Sequence, residues 1–142
     1  MKNTKDLLSS ILKTTQMGQV GIRSVLQAEI NPKLRSALYD QLMEYDKLEY
    51  EAHTLAQNNG WKLEELNPIA KKMASMMARA QLSYGYKDSK VAAMMINGNT
   101  RGMIKSFKNL NHYNHANPHI EKLARALLAC EENNIKQMQG FV

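Results

Sequence analysis

The chain has 142 residues, 44% of them hydrophobic and 23% charged, with three prolines, seven glycines, one cysteine and a formal net charge of +6. This composition excludes a disordered tail and suits a single compact domain whose core needs no disulfide or structural metal to close. Cys130 alone cannot form an internal bridge, and the longest apolar run, Val91 to Ile96, is far short of the roughly 20 residues of a membrane span.

Near the N-terminus, Lys2, Lys5 and Asp6 precede a broken Leu7, Leu8, Ile11, Leu12 pattern that continues as an amphipathic helix rather than a signal peptide. A cytoplasmic location is therefore expected, with no membrane partner. This first helix is predicted over about 4–29, with Thr4 as N-cap and an apolar stripe of Leu8, Ile11, Leu12, Ile22, Val25 and Leu26. Asn31 and Pro32 form a cap followed by proline at the first helical position, so a second helix is predicted over 32–58, with Leu34, Leu38, Leu42, Tyr45, Leu48, Ala52 and Leu55 inward. Asn59 and Gly60 end it. Asn67 and Pro68 open a shorter, Met-rich helix over 67–83 carrying Met73, Met76, Met77 and Ala80, followed by Tyr84, Gly85 and Tyr86. A long helix capped by Asp88 or Ser89 follows over 89–111, with Val91, Met95, Ile96, Met103, Phe107 and Leu110 on one face. Asn117 and Pro118 launch the last, over 118–139, with Ile120, Leu123, Ala124, Leu127, Ile135 and Met138. No segment alternates as a strand would. The fold class is all-α, one domain over 1–142: two antiparallel helical hairpins joined by a long crossover, the connectivity of a ferritin-like four-helix bundle.

Two stretches, DSKVAAMMINGNTRGMI from Asp88 to Ile104 and LARALLACEENNI from Leu123 to Ile135, resemble the small bacterial ferritin-like domain proteins of unknown function, a likeness that covers nearly the whole chain. The resemblance implies the bundle. It does not carry the iron chemistry of the wider superfamily, which needs an inward Glu on two helices and Glu-x-x-His on the other two. No Glu-x-x-His occurs here. The nearest spacing is Glu49 to His53, the helix after Asp88 has no further carboxylate, and the last helix has no histidine after His119.

At about 100° per residue, Glu131 and Asn99 fall on the apolar faces of the last two long helices. Folding about Asn114 pairs positions whose numbers sum to roughly 229, which brings Asn99 within one turn of Glu131. Folding the first pair near Ile30 brings Gln19 level with Gln41 or Leu42. The expectation is a mid-bundle polar layer of Gln19, Gln41, Asn99 and Glu131, with the Tyr45 hydroxyl available to it. One carboxylate and three amides make a poor iron or zinc site but a good self-satisfying hydrogen-bonded layer that fixes register. An alternative is a divergent metal-binding oxidoreductase using Glu29, Glu44, Glu49, His53 and Glu131. Gly18, Gly21, Gly98 and Gly102 interrupt two helices near mid-height, each at roughly 1 kcal/mol against alanine, and imply close helix approach or a small cavity.

His112, His115 and His119 cluster in a loop that Asn117 and Pro118 keep from being helical, so a solvated loop is favoured over a metal site. His53 is expected beside Glu49. No nucleophile and base pair is recognisable, and Cys130 has no local basic activation. No cofactor is implied and no catalytic residue is assigned. From 67 to 115 eight bases (Lys71, Lys72, Arg79, Lys87, Lys90, Arg101, Lys105 and Lys108) face Asp88 alone, a net charge of +7, while the remainder carries about −1. This asymmetry raises nucleic-acid binding as an alternative, without any reading motif to support it. The ten methionines suit an adaptable core or a partner surface, and packing against a second copy as a homodimer is expected. The leading reading is a non-catalytic binding or structural module with a polar layer in place of a di-iron centre; the residues name no small ligand.

Overall fold

The computed structural model describes residues 3–82, 87–113 and 117–142. It consists of five helices: α1 (Thr4–Val25), α2 (Pro32–Asn58), α3 (Pro68–Leu82), α4 (Asp88–Asn111) and α5 (Pro118–Gln139). No strand occurs among the described residues. Tyr84, Gly85, Tyr86, Asn114 and His115 lie outside them.

Helix starts follow the chemistry of orphan amides. Asn31 caps α2 through Lys33 N at 2.8 Å, and Asn117 caps α5 through His119 N and Ile120 N, each ahead of its proline. α1 is capped by Asn3, which accepts from Asp6 N at 2.8 Å, and not by Thr4, which is the first helical residue. Neither Asp88 nor Ser89 caps α4. Lys87 holds that position without a side-chain bond, and Asp88 Oδ1 instead accepts from Asn31 N at 3.0 Å, tying the start of α4 to that of α2. α1 stops at Val25, four residues before its expected end. The Arg35 guanidinium of α2 donates to the carbonyls of Leu26 (2.9 Å) and Ala28 (2.7 Å), satisfying groups that a further helical turn would have used. Gly60, at φ +66°, takes the left-handed conformation that ends α2.

α1 packs against each of the other helices, α4 packs against α5, and α2 packs against α5. α3 lies on α1. Cross-contacts run in opposite directions along α1 and α2 (Gln16 with Glu49, Gln19 with Asp46) and along α4 and α5 (Asn99 with Asn134, Ser106 with Glu131), so each pair is antiparallel. The apolar core is drawn mainly from α1, α2, α4 and α5, joined by Leu82 at the end of α3, with Leu7, Leu8, Leu12, Leu34, Leu38 and Ile120 sealed from solvent. Burying each such side chain contributes on the order of 2 kcal/mol. Phe107, expected inside, is 45% exposed. The inward face of the second half of α4 is instead Asn99, Gly102, Ser106 and Asn109, because α5 and α1 come too close there for a ring.

Candidate functional site

The interior holds a hydrogen-bonded cluster that spans three helices. Tyr45 of α2 donates its hydroxyl to Asn99 Oδ1 of α4 at 2.9 Å. Asn134 Nδ2 of α5 reaches the same Asn99 oxygen at 3.2 Å and the Tyr45 oxygen at 3.3 Å. Asn99 is oriented in turn by Nδ2, which donates to the Met95 carbonyl one turn back at 2.8 Å. All three residues are buried, so each bond removes a desolvation cost of about 1–3 kcal/mol that an unpaired group would carry. Burial, followed by the nearby Cys130 and Glu131, drives the Tyr45 hydroxyl far above its ordinary pKa, so it stays a donor.

Three residues before Asn134 on α5 lies Glu131, only 1% exposed. Its Oε1 accepts from the Ser106 hydroxyl at 2.9 Å, and burial pushes its carboxyl from 4.5 up to about 7, with the Ser106 bond pulling the other way. Gly102 makes room for it. A Cβ on residue 102 would stand within 2.8 Å of Glu131 Cδ and closer still to Oε2. On the other side of the core, a Cβ on Gly18 of α1 would stand 2.5 Å from Tyr45 Cζ, so the phenol ring lies across that glycine. Two of the four mid-helix glycines thus admit large polar side chains of the interior. Gly21 has only Met95 Cε nearby, at 3.7 Å, and Gly98 faces open space.

The four residues expected to share one layer are all buried, and they enter different hydrogen-bonded groups. Asn99 bonds Tyr45 and Asn134; Glu131 bonds Ser106. Gln41 Nε2 donates to Gln137 Oε1 at 2.8 Å, joining α2 to α5, while Gln41 Oε1 has no partner among the described residues. Gln19 Nε2 donates to Asp46 (2.8 Å) and Glu49 (3.3 Å), one turn further along α2 than the Gln41 or Leu42 expected beside it. The α4–α5 facing positions also sit four residues beyond the expected fold-back, at the register where Gly102 can receive Glu131.

The residues of the metal alternative are spread over the molecule. Glu49 accepts from Gln16 and Gln19 on the α1–α2 seam. His53 Nε2 lies 3.5 Å from Glu65, in the segment after α2, and not beside Glu49, because Gln16 and Gln19 occupy that carboxylate. Glu44 pairs with Lys47 on the surface, Glu29 lies beyond the end of α1, and Glu131 is enclosed between α4 and α5. Among the described residues no group of three or more His, Cys, Asp or Glu is placed to hold a metal ion. His112 and His119 are exposed at the α4–α5 turn, and His115 is outside the described residues. Tyr113 is buried there, its hydroxyl donating to the Asn117 carbonyl and accepting from Asn117 N, each at 3.0 Å.

Several residues were missed by the sequence reading. Asn134 and Ser106 complete the interior network; Asn134 was legible as three residues after Glu131 and seven after Leu127, on the face that Ile135 only flanks. Gln16 and Asn109 are buried polar links as well: Gln16 Oε1 accepts from Leu66 N at 2.8 Å, fastening the segment after α2, and Asn109 donates to Ser10 at 2.8 Å, joining α4 to α1. Cys130 is half-buried, and burial together with the Glu131 and Glu44 charges pushes its thiol up to about 11, the opposite of nucleophile activation. Two surface clefts, one between α1 and α3 beside Arg23, Lys71 and Lys72, the other beside Lys13, Glu64 and Asn67, touch none of Tyr45, Asn99, Glu131 or Asn134. No helix among the described residues is long and apolar enough to cross a membrane.

No family model matches the sequence, and no curated protein does. The fold is similar to the crystal structure of a DUF305 fragment from Deinococcus radiodurans, with a TM-score of 0.73 and 14% identity over 96% of this chain and 93% of that one. At that identity the likeness shows the fold alone, a small all-helical domain.

Proposed function

We propose that the protein is a non-catalytic binding or structural module on the ferritin-like arrangement, in which α1, α2, α4 and α5 form the bundle and α3 belongs to the crossover. The order of packing partners supports this reading: α1, α2, α5 and α4 adjoin in turn around the core, and α3 lies outside on α1. The single observation that carries the non-catalytic part is the closure of the interior network. Tyr45, Asn99 and Asn134 bond one another, Asn99 also donates to the Met95 carbonyl, and Glu131 Oε1 accepts from Ser106 inside a niche shaped by Gly102. Such a layer works as a register device, since any slip would bury unpaired groups at about 1–3 kcal/mol each. The module would act in the cytoplasm through its surface, where the charge and the exposed apolar side chains are concentrated.

Metal analysis of untagged protein, before and after incubation with excess Fe(II) and desalting, tests this. No stoichiometric iron or manganese and no ferroxidase activity are expected; two ions per chain would overturn the reading.

A further inference from the structure

α3 is turned inside out. Its positions toward α1 are small, with Ala70, Ala74, Ser75 and Ala78 half-buried and the Ser24 and Ser75 hydroxyls meeting at 3.2 Å. Of its large apolar side chains only Leu82, at the C-terminal end, is buried; those before it face away, Ile69 being 70% exposed and Met73, Met76 and Met77 each close to 60%. A helix that buries alanine and shows methionine to water leaves its apolar stripe for something outside the chain.

A second outward apolar face lies on α2, where Tyr39, Met43 and Tyr50 are exposed, Tyr50 at 74%. The two faces carry opposite charge. Exposed on α2 are Asp40, Glu44, Asp46 and Glu51 against Lys33, in its first turn, and Lys47, whereas α3 carries Lys71, Lys72 and Arg79 and no acid. They also share a repeat. Met43 and Tyr50 are seven residues apart, as are Ile69 and Met76; Glu44 and Glu51 are seven apart, as are Lys72 and Arg79. Seven residues are two turns, about 10.5 Å, the interval at which two helices keep one apolar seam with charges along its edge.

We propose that α3 of one copy docks on α2 of a second copy and that the contact is reciprocal, so two chains close through two identical α3–α2 seams. Resting on the reading of the protein as a binding module, it names the partner. Ile69, Met73 and Met76 pack against Met43 and Tyr50, a thioether and aromatic combination that adapts readily, while Lys72 and Arg79 meet Glu44 and Glu51. A twofold pair uses each face once per chain and leaves neither α2 nor α3 open to further copies.

Sedimentation equilibrium of the full chain tests this with two charge-reversed variants, K72E/R79E and E44K/E51K. The wild type is expected at twice the 16.1 kDa chain mass in low salt, with association weakening as salt rises. Each variant alone is expected at the single-chain mass, since both of its seams then carry like charges. An equimolar mixture of the two is expected to recover the double mass, because both seams are again complementary. Circular dichroism and a melting curve on each variant show that it is folded. A wild type of single-chain mass up to its solubility limit overturns the proposal, as does a dimer that survives either reversal, a mixture that does not recover, or a single chain that instead sediments with anionic phosphatidylserine vesicles. Metal content plays no part in this readout, so its failure leaves the interior reading standing, and two bound ions would leave the dimer standing.

Discussion

Glu131→Gln should make the protein more stable at neutral pH while leaving it unchanged in mild acid. In the folded chain the carboxyl is enclosed by α4 and α5 with Ser106 as its hydrogen-bond donor, and burial raises its pKa from 4.5 to about 7. The folded state therefore holds this proton more tightly than the unfolded state. Stability from this group is complete below about pH 4.5, declines as pH rises through the interval to about 7, and is lost above it. At roughly 1.4 kcal/mol for each tenfold change in proton affinity, the full decline is about 3 kcal/mol, a large share of a typical folding free energy of roughly 5–15 kcal/mol. Glutamine keeps an oxygen for Ser106 and carries no charge to desolvate, so its stability does not fall over this interval. Urea melts followed by circular dichroism between pH 4.5 and 8.5 should show the two proteins coinciding in acid and separating by about 3 kcal/mol at pH 8, a midpoint shift of about 1–3 M urea. Glu64 works in the opposite sense, since the hydrogen bond from Lys13 lowers its pKa and its contribution is lost only as pH falls; it is common to both proteins and cancels in the difference. Parallel stability curves across the whole range would refute the assignment of Glu131 as a buried, desolvated acid.

Gly102→Ala should cost about 2 kcal/mol despite the roughly 1 kcal/mol that alanine returns in helix propensity, because its methyl overlaps the Glu131 carboxylate; combined with Glu131→Ser, the same change should become stabilising, and the urea-melt cycle should give a coupling of about 2 kcal/mol or more. Asn99→Ala should cost more than Tyr45→Phe, about 2–3 against about 1 kcal/mol by the same melts. The first strips the shared acceptor from both Tyr45 and Asn134, while the second leaves Asn134 still bonded to Asn99. Cys130, with its thiol pushed up to about 11, should react with a disulfide reagent at pH 8 about a hundredfold more slowly in the folded protein than in urea, as read by release of the coloured thiolate.

How far the sequence could be read depended on what each helix face was made of. The helices were legible because Asn31-Pro32, Asn67-Pro68 and Asn117-Pro118 each mark a helix start, and leucines at helical spacing mark the inward faces of α1 and α2. The interior polar residues Gln19, Gln41, Asn99 and Glu131 were legible as polar positions on apolar stripes. Their partners were not, because the level at which two helices face each other depends on a shift of a single turn that periodicity does not encode. That shift separates Gln19 from Gln41. The second half of α4 misled for another reason: its inward face is glycine, serine and asparagine, so a hydrophobicity rule turns the helix toward Phe107 and Met103 and places the wrong edge inside.

The register is set by pairs in which a glycine on one helix receives a large polar side chain from the next. Leucine stripes on α1, α2 and α5 repeat at helical spacing, and a slide of one turn would leave many apolar contacts replaceable by others. Gly18 with Tyr45 has no such substitute, since a slide of four residues would set Tyr45 against Thr14 or Ile22. For Glu131 the same slide brings either Ser106, with a side chain in the niche, or Gly98, which has room but is followed one turn on by Gly102 and no hydroxyl donor. The Tyr45 hydroxyl would then lose Asn99, and the carboxylate would lose the donor one turn from its niche. Both losses strand buried polar groups, at about 1–3 kcal/mol each, whereas the correct level satisfies them together. Of the four mid-helix glycines, then, two carry information about how helices pair, and the information is readable only jointly with the residue each admits. Gly98, which meets nothing within 4 Å, is the internal control: alanine there should recover helix propensity without touching the network.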